Sequence, residues 1–309
     1  MRARLGTLGL VMTLVACASE PIPNVAVAPP PPRSAETPVP PPPLVLDGAL
    51  EQGGLLFGKT APNVRRISVD GQPVLVGDDG DFLVGIPREA GPAMLLRAEA
   101  DDGGITERTL EIAPREFRIE RINGPKFDTS RPMPADIAAR RAREAERIAT
   151  ARAALMAHTA WRGPWVWPAV GRISGVYGSQ RILNGVPRAP HWGVDIAAPT
   201  GTPVIAPAPG IIRLAGSGFM LEGGLVILDH GQGLFSQFLH LSRIDVTEGQ
   251  EVKTGDRIGA IGATGRATGP HLHWGLVVRD TRVDPTRVPG LGPMPAELQT
   301  AGRSGNTAR

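Results

Sequence analysis

The chain of 309 residues carries one cysteine, which excludes an intrachain disulfide framework and any multi-cysteine zinc or iron–sulfur site. After the first 20 positions it has no run of about 18 apolar residues, so a bundle of membrane helices is excluded. Neither sign of charge dominates, with 33 Lys+Arg against 30 Asp+Glu. There is no long basic run, and with only 4% aromatic residues no aromatic–basic interleaving, so nucleic acid is not an expected partner. What the chain holds in quantity is glycine (39) and proline (32), which break helices and argue against an all-helical fold. The balance of 41% hydrophobic to 20% charged residues suits a soluble globular chain, and the length suggests about two domains.

Residues 1–16 read as an export signal. Arg2 and Arg4 precede an apolar core over residues 5–15, too short to span a bilayer comfortably. The core ends in Leu14-Val15-Ala16-Cys17, which resembles the lipobox of bacterial lipoproteins. That resemblance implies cleavage before Cys17 and a lipid on its sulfur. Ala18 in place of an aspartate resembles signals for the outer membrane of Gram-negative bacteria. The expected location is therefore the cell envelope, on the periplasmic face of the outer membrane, with Cys17 as the membrane attachment. Residues 17–48 form a Pro-rich tether, with proline runs at 29–32 and 40–43 that favour extended geometry of about 3.1 Å per residue.

Short apolar runs separated by Asp-Gly turns predict a small β-sandwich-like domain over residues 49–122. It lacks histidine and carries no catalytic constellation, so a structural, spacing or docking module is expected. A helical connector follows over residues 123–168, with its helix from Pro134 to His158. Ile137, Ile148, Leu155 and Met156 supply a partial apolar stripe, the charges read as a solvated face, and His158 reads as a C-terminal capping residue. Residues 169–288 are β-rich and punctuated by glycine, and residues 289–309 read as a loose tail. The fold class expected is mainly β.

Four of the six histidines are spaced for metal chemistry. His191-Trp192-Gly193-Val194-Asp195 places two ligand types four apart, on one face if the segment is extended. His271-Leu272-His273 places two imidazoles on one strand face. Together His191, Asp195 and His273 make three N/O ligands with an open fourth position, the form of a catalytic zinc site. Phe238-Leu239-His240-Leu241-Ser242 lies between the two pairs. His271 is the first choice for general base, two residues from a ligand on the same face, and His240 would orient the water or hydrogen-bond the oxyanion, although the sequence allows the two roles to be exchanged. No His-Glu-x-x-His helix is present.

From Gly171 to Pro285 the chain resembles the LytM/lysostaphin-type zinc metallopeptidases, which cut peptide cross-links in bacterial peptidoglycan. The runs that carry the likeness are Gly175-Val176-Tyr177-Gly178, His191 to Asp195, Gly201-Thr202-Pro203-Val204, Phe238 to Ser242 and Thr264 to His273. The resemblance implies one zinc per chain, held by His191, Asp195 and His273. It implies that His240 and His271 assist catalysis without being ligands, within a LytM-type half-barrel or sandwich domain. Peptidoglycan is the implied substrate, cut at a D-alanyl to meso-diaminopimelate bond in a Gram-negative envelope, with divisome or amidase partners. The rival is a non-enzymatic relative that activates a wall amidase, and the retained ligands speak against it. Two departures stand out. Phe238 replaces a frequent tyrosine near the site, and Trp274-Gly275 follows the His-x-His where an acidic residue is common. His230 matches a common turn and reads as structural. Residues 249–262 also resemble biotinyl carrier domains, but Lys253 is not at a hairpin tip, and that reading is discarded.

Overall fold

The computed structural model describes residues 43–124, 133–153 and 155–295; Cys17 and the export signal lie outside them. Asp-Gly and Gly-Gly turns cut residues 44–111 into seven strands, β1 (Leu44–Gly48), β2 (Leu55–Thr60), β3 (Val64–Val69), β4 (Gln72–Val74), β5 (Asp81–Gly85), β6 (Ala93–Ala100) and β7 (Ile105–Glu111). They form two sheets, ordered β1-β2-β5 and β4-β3-β6-β7. Leu56, Phe82 and Val84 of the first sheet meet Ile67, Leu96, Ala98 and Leu110 of the second in one buried core. β1 corrects the tether boundary. Its five residues pair along β2, so residues 44–48 belong to the first sheet.

The first sheet is apolar on both faces. Leu55 and Leu83, which alternate with Leu56 and Phe82, are buried in the core of the larger region together with Trp161. Gly85 lies flat against Val278 and Val283, where a Cβ would sit 3.1 Å from each side chain. Buried Asp81 pairs with Lys59 at 2.8 Å and with Arg162. Accordingly the described residues form one packed unit although two cores can be distinguished within it.

Beyond β7, the chain continues as β8 (Ile119–Ile122) and α1 (Ala135–Ala153). The helix ends five residues earlier than expected. After Ala153 the backbone turns to the hairpin at Gly231, where Gln232 donates to the Met156 carbonyl, so Leu155, Met156 and His158 are not helical. His158 therefore caps nothing. Nor are the helix charges simply solvated. Buried Glu144 pairs with Arg140 and Arg141 and accepts from Met220 N, and Arg141 also pairs with Glu222.

The larger region holds β9 (Arg172–Gly175), β10 (Gln180–Leu183), β11 (Val186–Pro187), β12 (Val194–Ala197), β13 (Pro203–Ile205), β14 (Gly210–Phe219) and β15 (Gly223–Asp229). β16 (Leu234–Leu239), β17 (Arg243–Ile244), β18 (Glu251–Val252), β19 (Arg257–Ala260), β20 (Leu272–Val278) and β21 (Thr281–Val283) complete it. One sheet runs β18-β14-β15-β16-β20-β12-β9, with β21 on β20, and β13-β19-β17 forms a smaller one. One face of the large sheet buries Phe238, Leu272, Trp274 and Leu276. On the other, Ile148 and Ala151 of α1 cover Leu214, Leu225, Ile227 and Phe235. The mainly β class expected is the one found.

Candidate metal centre

The residues singled out in the sequence meet at one end of the large sheet. Asp195 on β12 stands opposite His273 on β20 in antiparallel register, so both side chains rise from the same face. His191 is not on a strand as the spacing suggested. It lies in the loop before β12, held by its own amide donating to the Ser179 carbonyl at 2.7 Å. Its Nε2 comes within 3.0 Å of both Asp195 Oδ1 and His273 Nδ1, and the last two are 2.9 Å apart. Such close packing requires missing side chains. A Cβ on Gly175 would fall 2.2 Å from Asp195 Oδ2, and one on Gly193 would fall 2.8 Å from the His273 ring.

The donor set fits a cation. His191 Nδ1 faces the Val176 carbonyl at 3.0 Å, and a carbonyl only accepts, so the Nδ1–H is committed there. Neutral His191 then turns a lone pair on Nε2 toward a carboxylate oxygen and another imidazole nitrogen. Burial opposes charge on His191, but the bond that a second proton, on Nε2, would give to Asp195 outweighs it and raises its pKa. Burial likewise opposes ionisation of Asp195, and the hydrogen bonds it accepts when His191 and His273 carry protons toward it overcome that and hold the carboxyl well below the usual range. Burial lowers the pKa of His273 against the pull of Asp195. Two imidazole nitrogens and a carboxylate oxygen this close, with a carbonyl orienting one ring, form a group able to hold a metal ion.

His240 and His271 stand beside it. His240 follows β16 with φ of 67°, an uncommon left-handed backbone for this residue type, fixed by its amide donating to the Glu222 carbonyl. Its Nδ1–H donates to the Thr264 carbonyl at 2.9 Å, and burial lowers its pKa. His271 Nδ1–H donates to the Gly269 carbonyl at 2.8 Å, and its Nε2 points to Asp195 Oδ1 from 3.9 Å. The two rings are 4.7 Å apart. The orienting carbonyls of Val176, Thr264 and Gly269 escaped the sequence reading, because a backbone oxygen leaves no residue signature. Two other residues lie apart. Phe238 is fully buried opposite Trp274 in the core, so it faces away from the metal group. His230, also fully buried, donates from Nδ1 to the Pro209 carbonyl and accepts from Ser236 Oγ.

The model of the family described as Peptidase family M23 matches residues 189–285, a span holding all five of these residues. A solved structure titled as a putative peptidase M23 from Pseudomonas aeruginosa is 33% identical, with a TM-score of 0.58, over 77% of this chain and 93% of that one. The chain belongs to peptidase family M23. Among curated M23 relatives, "Peptidoglycan DD-endopeptidase ShyA" of Vibrio cholerae is 42% identical over 114 residues, covering 37% of this chain and 26% of the relative. "Lipoprotein NlpD/LppB homolog" of Pseudomonas aeruginosa is 38% identical over 123 residues, covering 40% of this chain and 39% of the relative. This M23 chain thus matches only a minor part of the length of each.

Proposed function

We infer that the chain is a zinc-dependent endopeptidase acting on the peptide cross-links or stems of bacterial peptidoglycan, with the D-alanyl to meso-diaminopimelate bond as its target. The observation that carries this reading is the convergence of His191 Nε2, Asp195 Oδ1 and His273 Nδ1 beside two histidines whose Nε2 atoms are uncommitted. Those three atoms would hold one zinc ion. When bound, zinc supplies a Lewis acid and lowers the pKa of water toward about 7.

His271 carries its proton on Nδ1, so its Nε2 can accept a proton from the attacking water and later return it to the departing amine. Neutral His240 also presents a bare Nε2, which accepts a hydrogen bond and so orients that water. Binding the oxyanion would require a second proton on His240, against the lowering that burial imposes. Attachment to the envelope through a lipidated Cys17 belongs to the same proposal; among the described residues no helix is long and apolar enough to cross a membrane.

The test is to incubate the purified chain with isolated peptidoglycan, with and without a chelator, and to weigh the released fragments by mass spectrometry. Chelator-sensitive loss of cross-linked dimers is expected, and the fragment masses identify the bond. Intact peptidoglycan with one zinc still bound per chain would overturn the hydrolase reading in favour of an amidase-activating regulator.

A further inference from the structure

The metal centre stands at one end of a strip of sheet face, buried at Gly275 and Val277, that ends in two arginines. Along β20, His273, Gly275 and Val277 share a face, and the register places Gln237 opposite Gly275 and Arg282 opposite Val277. At about 3.3 Å per residue, Val277 is roughly 13 Å along the strand from His273, the length of a short extended peptide. Gly275 leaves the floor of the strip without a side chain, and the Trp192 carbonyl passes 3.0 Å from where its Cβ would be. The Arg282 guanidinium lies 5.7 Å from the centroid of the Trp192 ring. On the other side, Ile148 and Ala151 of α1 pack with Phe235 and Leu239, the same-face neighbours of Gln237, and Arg152 follows at the helix end.

The charges here are unbalanced. Among the described residues no carboxylate lies within ion-pair distance of either arginine. Arg152 Nε and Gln237 Nε2 are buried donors without an acceptor. Burial lowers the pKa of both arginines; Arg152 lowers that of Arg282 further, while Asp280 attracts Arg152 only from beyond pairing distance. Half-buried cations that repel one another and lack a counter-charge are costly unless something of opposite charge arrives. Two guanidinium groups and a side-chain amide with an unpaired N–H describe a seat for a carboxylate, and a planar guanidinium beside an indole suits one.

We propose that Arg152, Arg282 and Gln237 form an anion subsite that binds a free carboxylate of the peptide substrate, two to four residues from the bond cut at the metal centre. This rests on the reading of the chain as a peptide hydrolase. The subsite selects substrates by charge and lowers KM without touching the reacting atoms.

The whole chain is assayed on a soluble cross-linked stem-peptide dimer with free carboxylates, and on the same dimer with those carboxylates amidated. Binding of both dimers to chelator-treated protein is measured in parallel by calorimetry. For the wild type, KM is expected to be roughly tenfold lower on the acid dimer, the scale of a hydrogen bond to a charged group. R282Q and R152Q, made separately, should erase that difference with kcat changed less than about twofold, and R282K should restore part of it. Equal KM for both dimers in the wild type overturns the subsite and leaves the hydrolase reading standing. No cleavage, with tenfold preferential binding of the acid dimer, overturns the hydrolase reading and supports the subsite. Neither cleavage nor binding of either dimer overturns both.

Discussion

Which ring nitrogen carries the proton decides what each histidine can do. His191, His240 and His271 each give Nδ1–H to a backbone carbonyl and so turn Nε2 inward. Replacing His271 with Ala is expected to lower kcat by about 10²–10⁴-fold while one zinc per chain remains, measured by hydrolysis and metal analysis side by side. His191→Ala should instead lose the metal, and retention of stoichiometric zinc in that variant would contradict the ligand assignment. His230 tests a different property. Burial pushes its pKa down to about 4, from about 6.5 in an unfolded chain. The unfolded state therefore takes up the proton first, and stability drains away as pH falls from about 6.5 to about 4, by roughly 3 kcal/mol in all. Urea unfolding across that window should show the decline, and His230→Gln should remove this part of it.

At the scale of elements, the loop that carries His191 is held from outside the larger region. β8 pairs in parallel with β10, Arg88 Nε donates to the Gly178 carbonyl at 2.9 Å, and Gly178 N donates to the His191 carbonyl at 2.8 Å. Phe117 lies against Gly178, where a Cβ would meet its ring at 2.1 Å, with the Arg88 guanidinium 4.4 Å from the ring centroid. The segment leaving the small sheets therefore orients His191 from behind. Phe117→Ala is expected to weaken zinc binding by about 10–100-fold in chelator competition, as loss of supporting contacts does at metal sites. A chain begun at residue 163 should bind zinc more weakly for the same reason. Higher activity in that shortened chain would mean instead that the N-terminal part covers the cleft.

For the whole molecule, the shared sheet makes the two cores one folding problem. Asp81 on β5 is buried between Lys59 and Arg162, and its carbonyl accepts from Gln232 Nε2 at 2.9 Å, so it ties the first sheet to the β15–β16 hairpin. Removing one partner of a buried pair leaves the others without a counter-charge. Because Lys59 and Arg162 are partly exposed, Asp81→Ala should cost about 1–3 kcal/mol and lower the unfolding midpoint of both regions together. Two separate calorimetric transitions, only one of them shifted, would show that the regions unfold independently.

Most of the candidate site was legible in the residues, because side chains able to hold a metal and strand periodicity leave marks of type and spacing. His191, Asp195, His240, His271 and His273 could all be named from their motifs, and the mainly β class from runs of apolar residues between glycine turns. Helix length was not legible. No Gly or Pro follows Ala153 before Gly163, and the helix stops early because the Gly231 hairpin draws the backbone at Met156 into its own hydrogen bonding. Burial of both faces of the first sheet and the carbonyls that set each tautomer likewise depend on segments far apart in the chain. Local sequence determined which chemical groups were present and how each strand would alternate. The tertiary structure decided which of those groups face one another, because burial and long-range register act between residues that the sequence does not place side by side.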